Sequence, residues 1–512
     1  MDGISERLQQ KLERVFHEAR DVAVETVLAG WDRKTPLHFS QIEEAAHRLA
    51  ARWSCHVQEW AAREMTAETP DSTACPTCGE VCLLELAART IHSTDGPVPI
   101  LEWQGTCTRC RRDFFPQREA LGLDSRELTP ALAQRIVHAA AETRSSQRAS
   151  LVLKHVGGNE VSPSTVQRVT HQVGLELAEL RDEGEAPELV QAPGNAPELA
   201  VVECDGGRIR TREPGQGRGV HGQAWRETKN ASLLRMTHQA FAEDPEPELP
   251  RAFANPQRVA KLAEKEAPPD IPTEAPLPLS PEKAWRPKRL VRTCLSSMAE
   301  SDTFGRQMQR EARQRRFREA PARAFVGDGL PWNWSVWKHY FPDFVPVLDF
   351  IHALSYLYAA ALAMHGEFSV AWSCYLGMAR ACWQGRVADA LDELRRWLAP
   401  HGLDDQSKLD DNDPRKPIVD AARYLRNNRS RMDYPRYRRL GLPVTSALME
   451  SLVKEVNYRV KGTEMFWNDP EGAEAILQVR AAALCDDDRL ARYLRTRPGC
   501  AHVRRSTVAS AA

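Results

Sequence analysis

Three acidic residues stand in settings that could hold a pair of metal ions. Asp205 follows the apolar run of VVECDGG, Asp328 follows that of AFVGDG, and Glu450 lies in the helical pattern SALMESLVKEV, 123 and 122 positions apart. Magnesium binds carboxylate, water and phosphate oxygens, and a metal pair can stabilise both the attacking and the leaving oxygen. The sequence therefore predicts two magnesium or manganese ions and cleavage of nucleic-acid phosphodiester bonds.

Different elements must position these acids. Asp205 and Asp328 each follow a short apolar run and precede glycine, so each is expected at a strand end, where the turning backbone leaves room for metal and phosphate. Glu450 is expected on a helix whose face also carries Lys454 and Lys461, four and eleven positions further on. The lysines could meet phosphates, although an ordinary Glu–Lys helix pair would give the same pattern.

Two CxxC pairs form a second group of residues that could bind a metal ion. Cys75 and Cys78 are separated from Cys107 and Cys110 by 28 residues, and each CxxC turn puts two sulfurs on one edge of a tetrahedron. The spacing predicts a zinc ribbon with one structural Zn²⁺, and reduced knuckles without metal are the alternative. Such a ribbon could contact DNA or only stabilise a small domain. The chain has 12 cysteines, but disulfides are not expected. The chain is long, it shows no secretion signal, and four of the cysteines lie in the two CxxC pairs.

Helix-start signals follow the cysteines. Residues 129–130 and 162–163 each place an N-cap before a proline, and the glycines at 157–158 close a short helix between them. Gln167 and Arg168 fall on the polar face of the last helix. A helix, a glycine-containing turn and a second helix with polar side chains near its start are typical of a helix-turn-helix that enters the DNA major groove. A plain helical packing module is the alternative.

Charge is spread unevenly along the chain. The formal net charge is −1, so the overall charge does not indicate a nucleic-acid partner. Residues 286–323, however, hold eleven Lys or Arg against four acids. Residues 423–439, which include Arg429 and Arg431, hold seven Arg against one Asp. Such runs could bind DNA phosphates, or they could be solvated helical faces.

The sequence also limits the compartment. No segment reaches the roughly 18 uninterrupted apolar residues that a membrane span needs, and the first residues lack the apolar core of a signal peptide. The protein is therefore expected to be cytoplasmic, without a membrane partner.

The length of 512 residues suggests about three domains, and strand-like and helical segments together predict the α+β class. Two segments interrupt the periodic patterns: an acidic linker rich in Pro and Gly, and a Pro-rich insertion expected to be a mobile loop. The predicted order is a helical N-terminal region (1–70), a zinc ribbon (71–125), a helix-turn-helix region (126–180), a linker (181–198), the first part of a catalytic core (199–352, with the insertion at 243–287), an all-helical insertion (353–440), the core's C-terminal helices (441–498) and a disordered tail (499–512).

Several motifs follow one another between about residues 199 and 485. They are DGGRIRTR, WRETK, FVGDG, PWNW, LDFIHALSYL, RMDYPRYRRLGLPVTSALMESLVKEVNYRVKG and EMFW. In this order they resemble bacterial insertion-sequence transposases of the ISKra type, which are relatives of the Mutator-like elements. The predicted zinc ribbon and N-terminal helices fit the same family.

The resemblance implies a ribonuclease-H-like α/β catalytic core with a DDE triad, interrupted by a helical insertion before the glutamate. Carried over by motif, the triad is Asp205, Asp328 and Glu450. Asp349-Phe-Ile-His352 matches a Cys/Asp-x-x-His motif of Mutator-like enzymes, so His352 is expected to contact the scissile strand or to support the metal site. A structural role near a helix start is the alternative for this histidine.

The expected activity is that of a DDE transposase. Such an enzyme cuts double-stranded DNA at the terminal inverted repeats of its element and then joins the freed 3′-hydroxyl to target DNA, commonly as a homo-oligomer on paired ends. Lys454, Lys461, Arg459 and the arginines of 423–439 are expected to hold phosphates. Where similar sequences place small Gly and Ser residues before the glutamate, this chain has TSALM at 445–449. The alternatives are a domesticated or decayed copy that binds DNA without cutting it, and a ribonuclease-H-like nuclease that does not join strands.

Overall fold

A computed structural model describes residues 20, 23–29, 31–32, 34–66, 71–183, 195–212, 225–263, 285–461, 467–468 and 470–502. The described residues divide into two compact units. Unit 1 takes them from 1–140, 146–169 and 491–512, and unit 2 takes them from 141–145 and 170–490. The chain is a mixed α/β protein with two sheets, in agreement with the predicted α+β class.

Unit 1 begins with the long helix α1 (Phe39–Thr66), which packs against a four-stranded antiparallel sheet of order β1-β2-β3-β4. Ser93 pairs with Gly96, so a two-residue turn closes the central hairpin. Alternating side chains such as Ile91 and Val98 are buried, as a sheet with one covered face requires. The strands are β1 (Ser72–Ala74), β2 (Val81–Ser93), β3 (Gly96–Cys107) and β4 (Arg112–Phe114).

Four helices follow the sheet. The N-cap and proline signals at 129–130 and 162–163 are followed by helices that begin at those prolines, as predicted. Val166 and Val169 are buried, whereas Gln167 and Arg168 are exposed. The helices are α2 (Gln117–Leu121), α3 (Pro130–Glu142), α4 (Ser146–His155) and α5 (Pro163–Glu183).

The centre of unit 2 is a five-stranded sheet of order β7-β6-β5-β8-β9. The first three strands in the chain pair antiparallel, whereas β8 runs parallel to β5 and β9 runs parallel to β8. The apolar run 199–202 is fully buried, as a strand covered on both faces requires. The strands are β5 (Leu199–Arg210), β6 (Trp225–Met236), β7 (Arg289–Ser297), β8 (Ala322–Gly327) and β9 (Val345–Leu348).

Helices cover both faces of this sheet. Ala200, Val202 and Phe325 pack with apolar residues of α7 (Ser301–Gln314) and α8 (Pro331–Tyr340) on one face. Leu199 and Val201 lie on the other face, in the core that includes the helix α9 (Phe350–Met364). The alternation of strand residues between two separate cores follows from the two-residue period of a strand.

A helical layer continues the second core. Tyr375, Met378 and Trp383 are buried in it, so the aromatic stripe is core, as the sequence predicts. The predicted all-helical insertion at 353–440 is helical, although its first helix begins at Phe350. The helices are α10 (Phe368–Trp383), α11 (Val387–Leu398), α12 (Lys416–Asn428) and α13 (Tyr434–Arg439), followed by α14 (Ala447–Val460), α15 (Pro470–Ala483) and α16 (Arg489–Thr496).

The structure differs from the predicted mobile loop at 243–287. Residues Arg251–Phe253 form a 3₁₀ turn and Pro256–Leu262 form a helix, α6, which Asn255 caps by accepting a 2.9 Å hydrogen bond from the Arg258 backbone N–H. Phe253 and Val259 are buried in the core. The prolines suggested a loop, but the apolar residues between them stabilise an ordered structure by packing in the core. Residues 264–284 lie outside the described part.

Two other predicted segments also differ. Of the linker at 181–198, residues up to Glu183 still belong to α5, and 184–194 lie outside the described residues. Of the predicted disordered tail, Cys500 N–H donates to Leu123 O at 2.8 Å and Phe115 N–H donates to Ala501 O at 2.7 Å. Residues 499–502 are thus packed in unit 1. Within the described residues, no helix combines the length and apolar character needed to cross a membrane.

Candidate active site and metal centre

Asp205 lies where the ladder between two parallel strands ends. Pairing of β5 with β8 runs as far as Cys204 and Gly327, while β5 itself continues to Arg210 beside the antiparallel strand β6. The prediction that the backbone turns away at Asp205 is therefore wrong, because the glycines after it stay in the strand. The room above Asp205 arises instead because β8 has ended.

Asp328 directly follows β8, as predicted. Its Oδ1 accepts hydrogen bonds from the Leu330 N–H, at 2.9 Å, and from the Asn333 amide, and both partners lie at the start of α8. Gly329 has a φ of +100°, and a Cβ there would lie 2.6 Å from the Tyr424 ring, so only glycine fits the turn. The sequence GDG therefore fixes the direction in which the carboxylate leaves the sheet.

Asp349 organises the neighbouring strand end. Its N–H donates to Gly327 O at 2.9 Å, and its carboxylate caps α9 by accepting from the Ile351 N–H at 3.1 Å. The same carboxylate lies 2.7 Å from His352 Nδ1 and accepts a 2.7 Å hydrogen bond from Ser446 Oγ. Asp349 is fully buried, so these partners replace the water that its charge would otherwise need.

Electrostatic interactions join Asp205, Asp328 and His352. Burial, reinforced by the charge of Asp328 and partly offset by His352, raises the pKa of Asp205 to about 7. Burial also raises the pKa of Asp328, although hydrogen bonding to its charged form and the imidazole oppose the rise. Burial disfavours the charged imidazole of His352, but the hydrogen bond and charge of Asp349, with the two other aspartates, raise its pKa to about 9. The structure thus brings three predicted residues together, one histidine and two aspartates whose charges influence one another.

One acid near this cluster was missed by the sequence analysis. Glu203 lies two residues before Asp205 on β5, hence on the same face of the sheet. It is buried, its Oε2 has no hydrogen-bond partner among the described residues, and burial followed by the charge of Asp349 raises its pKa to about 8. An acid inside the apolar run VVEC was the available signal.

Glu450 lies in the first turn of α14, and its side chain is outside the described part of the structure. The helix packs against β5 and β6, and the residue before it, Ser446, is bound to Asp349. Lys454 lies one turn further along and lines a groove together with Asp205 and His352. The helix that carries the third predicted acid is therefore attached to the edge that carries the other two.

The predicted phosphate contacts on α14 divide into two groups. Lys454 and Lys461 are exposed. Arg459 is only 5% exposed, its guanidinium lies 5.6 Å from the Trp467 ring, and burial with the charge of Arg480 lowers its pKa to about 10. The prediction that Arg459 holds a phosphate is wrong, because position 459 adjoins the buried stripe of the helix and an indole covers it.

The arginines of 423–439 are less available than predicted. Arg429 is exposed, but the Arg431 guanidinium lies 4.4 Å from the Trp334 ring, and burial lowers its pKa. Arg426 pairs with Asp405, and other pairs in the segment are Arg423 with Asp420 and Arg438 with Asp244. These ion pairs hold three of the segment's seven arginines and so offset part of its charge.

Ion pairs also offset the basic run 286–323. Each acidic partner cancels one cation and leaves the run less able to hold phosphates. The paired arginines of this run are Arg286, Arg289, Arg292, Arg306, Arg315, Arg316 and Arg323.

The predicted helix-turn-helix residues lie on the surface of unit 1. Gln167 and Arg168 are exposed on α5, and the Arg168 Nε donates to Ser164 O at 3.1 Å. Contact with DNA stays a prediction for both residues.

The four predicted cysteines form one cluster in unit 1. The sulfurs of Cys75, Cys78, Cys107 and Cys110 all lie within 4.8 Å of one another, and those of Cys78 and Cys107 are 3.6 Å apart. Zinc–sulfur bonds of about 2.3 Å in a tetrahedron place sulfurs about 3.8 Å apart. The cluster therefore fits a four-thiolate zinc site, and Cys82 is not part of it.

The backbone of each knuckle supports this fit. Gly79 and Arg111, the residues after the second cysteine of each pair, have φ of +75° and +53°, which turns the chain back around the sulfurs. Burial raises the pKa of the Cys75 thiol, but hydrogen bonds from the N–H groups of Thr77 and Cys78, together with those of neighbouring thiols, outweigh it and lower the pKa to about 7. Thiolates, which bind zinc, are favoured by such donors.

The comparisons with known proteins do not assign the chain to a family. No protein-family model and no curated protein matches the sequence. One solved structure, the Drosophila P element transposase strand transfer complex, is similar over 69% of this chain and 92% of that chain, at 11% identity and a TM-score of 0.29.

Proposed function

We propose that this protein is a DDE transposase of an insertion sequence of the ISKra type. It cuts double-stranded DNA at the element's terminal inverted repeats and joins the freed 3′-hydroxyl to target DNA. One observation carries the proposal: Asp205 lies on β5 just past the end of its pairing with β8, Asp328 directly follows β8, and the two are close enough for the charge of Asp328 to raise the pKa of Asp205.

The sheet supports a ribonuclease-H-like core. Three antiparallel strands are followed by two parallel ones, so that the first strand is central and in chain order the sheet reads 3-2-1-4-5. The helical layer between β9 and α14 supports an all-helical insertion before Glu450. Both features agree with what the sequence resemblance implies.

The acidic residues fit two magnesium or manganese ions held by Asp205, Asp328 and Glu450. The raised pKa values of the two aspartates mean that the buried carboxylates lack sufficient compensation by protein cations, as expected of ligands for a divalent ion. Such ions, when bound, would supply charge stabilisation for the attacking and leaving oxygens.

The surrounding residues orient this acidic pair. Asn333 and the Leu330 N–H hold one oxygen of Asp328, and Asp349 holds His352 through Nδ1. The Nε2 atom of His352 is then the ring nitrogen available to a phosphate oxygen of the scissile strand. Before any ion binds, the hydrogen bond and charge of Asp349, with the two other aspartates, outweigh burial and raise the pKa of His352. They favour the charged form, which can donate a hydrogen bond to that anion.

The remaining parts of the proposal concern DNA recognition. One structural Zn²⁺ held by the four cysteines orders the ribbon, and the α4–α5 segment with Gln167 and Arg168 acts as the helix-turn-helix that reads the element ends. Lys454, Lys461 and Arg429 contact phosphates. The protein acts in the cytoplasm on nucleoid DNA, as a homo-oligomer on paired ends.

Cleavage of DNA that carries the ends flanking the gene tests the function. We expect magnesium-dependent cleavage by the parent protein and a loss of about 10³-fold in rate for Asp328→Asn and Glu450→Gln, since a metal's charge stabilisation contributes several kcal/mol. End binding should stay nearly intact. Asp411→Asn is a matched control, because that side chain is 99% exposed.

Each other result selects an alternative. Binding by the parent without cleavage would favour a domesticated or decayed copy. Cleavage without strand joining would favour a nuclease. Equal cleavage by parent and Asp328→Asn would sink the proposed triad.

A further inference from the structure

The short helix α6 lies in the segment between β6 and β7, where the sequence predicted a loop. One face packs into the core of unit 2 through Val259 and Ala260. The helix also packs against α9, which carries His352. The core contacts therefore fix α6 close to the candidate active site.

The opposite face of α6 is polar. Gln257, Arg258 and Lys261 are exposed. Within the described part of the chain, the side chains of Arg258 and Lys261 form no ion pair or hydrogen bond. They differ in this from the arginines at 423, 426 and 438, which pair with acids. An exposed cation without a protein partner is free to bind an anion.

The polar face of α6 lines a groove of about 1110 Å³. Lys454 and Asn457 of α14 also line it, as do Asp205 and His352. Cations from two helices therefore share one groove with an acid of the proposed catalytic site.

The side chains that line the groove are suited to binding an extended polyanion. Arg258, Lys261 and Lys454 offer cations at separate places on two helices, which matches repeated phosphates better than a single anion. Among the described residues, no Phe, Tyr or Trp lines the groove, so it lacks the stacking surfaces that grip unpaired bases. The lining suits contacts to the sugar-phosphate backbone, which position a strand without reading its sequence.

We propose that the groove between α6 and α14 binds the DNA strand that adjoins the scissile phosphate, and that Arg258 and Lys261 contact its phosphates from the α6 side. This inference rests on the proposed function, since the strand must end at the site containing Asp205. It assigns a substrate-positioning role to the segment between β6 and β7.

The salt dependence of DNA binding tests the groove. The probe is a labelled duplex of arbitrary sequence with a single-stranded 3′ tail, titrated with the full-length protein at several salt concentrations without divalent metal. The slope of log K against log [salt] is negative, and each lost phosphate contact lowers its magnitude by about 0.9 for duplex and about 0.7 for a single strand. We expect R258A/K261A to lower the magnitude of the slope by about 1.4 to 1.8 in total.

Two variants control for charge and folding. R251A/K408A removes an arginine and a lysine that are also exposed but do not line the groove, and its slope should equal that of the parent. R258K/K261R keeps both charges and should keep the slope. Thermal unfolding of all three variants shows that a lost contact is not a lost fold.

The outcomes separate this inference from the proposed function. An unchanged slope for R258A/K261A, an equal fall in R251A/K408A, or a parent that binds no DNA overturns the groove. If the slope is unchanged while the parent cleaves element ends, the proposed function survives alone. If the slope falls as expected but no protein cleaves, the groove survives as a DNA-binding site and the proposed chemistry fails.

Discussion

At the scale of single residues, the candidate site holds more negative charge than the protein balances. Asp205, Asp328 and Glu203 all have raised pKa values, chiefly because of burial, and only His352 and hydrogen bonds oppose the rise. Buried carboxyl groups whose pKa is raised reduce the stability of the folded protein at a pH where they must ionise. The cost should be measurable.

We expect Asp205→Asn to stabilise the metal-free protein at alkaline pH. The folded state keeps the proton up to a pH of about 7, whereas an unfolded aspartate releases it near about 3.9. Between these values the folded state binds more protons, so stability falls as pH rises. At pH 8 the variant should gain about 2 to 4 kcal/mol in free energy of unfolding, and at pH 4 almost nothing.

Urea unfolding at the two pH values, with a chelator present, gives this comparison. Asp411→Asn serves as the reference, because its exposed side chain should change stability by less than about 0.5 kcal/mol. An equal gain at pH 4 and pH 8 would show that the effect of Asp205→Asn is not electrostatic. Added magnesium should stabilise the parent more than the variant.

The residue positions that the sequence predicted correctly were those that depend only on neighbouring residues in the chain. The position of Asp328 followed from an apolar run that ends in glycine, and it was correct. Arg459 was wrong because a helical pattern gives the face of a residue but not the distant Trp467 that covers it. Glu203 was missed because one acid in an apolar run gives no local sign of its partners.

At the scale of elements, Asp349 ties together three parts of the fold. Its N–H binds the end of β8 at Gly327, its carboxylate caps α9, and Ser446 beside it leads into α14. The elements that carry Asp328, His352 and Glu450 thus meet at one buried carboxylate. This arrangement is long-range, since Asp349 and Ser446 are 97 positions apart, and no sequence period could reveal it.

Strands and long helices were predicted better than the segment between β6 and β7. Apolar runs such as 199–202 identify buried strands because few other structures bury every side chain in a row. Prolines dominate 243–287, and the brief apolar pair Val259-Ala260 is too short to indicate that α6 packs on a core. Tertiary contacts, rather than local propensity, stabilise that helix.

A close contact between α5 and α15 gives an element-scale prediction. A Cβ at Gly174 would lie 2.2 Å from the carbonyl oxygen of Ala475, so Gly174→Ala must push the helices apart. We expect a loss of about 1 to 3 kcal/mol in stability, measured by urea unfolding. Gly377→Ala is the matched control: that glycine is helical and exposed with nothing within 4 Å, and it should gain about 0.5 to 1 kcal/mol. A neutral Gly174→Ala would show that the two helices can separate freely.

At the scale of the whole chain, positive charge is abundant, and part of it is paired. The 69 Lys and Arg nearly equal the 70 acids. Ion pairs hold seven of the eleven Lys and Arg in 286–323 and three of the seven arginines in 423–439. We expect nucleic-acid binding to depend on cations such as Arg258 and Lys261, which have no ionic partner among the described residues, more than on the paired arginines of the basic runs. Composition could not distinguish paired from unpaired arginines, because partners such as Glu455 for Arg292 and Asp244 for Arg438 come from distant positions.

Local spacing predicted the cysteine cluster, but it did not predict where the end of the chain packs. The cysteine spacing predicted a four-sulfur cluster, and the cluster is present within unit 1. The return of residues 499–502 to the segment around Leu123 has no local signal, since small polar residues near a chain end usually indicate disorder.

Removing the metal from the cysteine cluster should unfold the ribbon. The apolar core around these sulfurs is small, with Leu84 and Phe114 among its few members, and structural zinc typically contributes about 10 kcal/mol or more to folding. We expect one zinc per chain by elemental analysis, and rapid amide exchange in β2 and β3 after chelation. Exchange in β5 reports whether the whole chain has unfolded. Cys78→Ser should lose the metal. Cys82→Ser alters a buried neighbouring thiol outside the cluster and should keep the metal. Equal loss of metal from both variants would contradict the four-sulfur site.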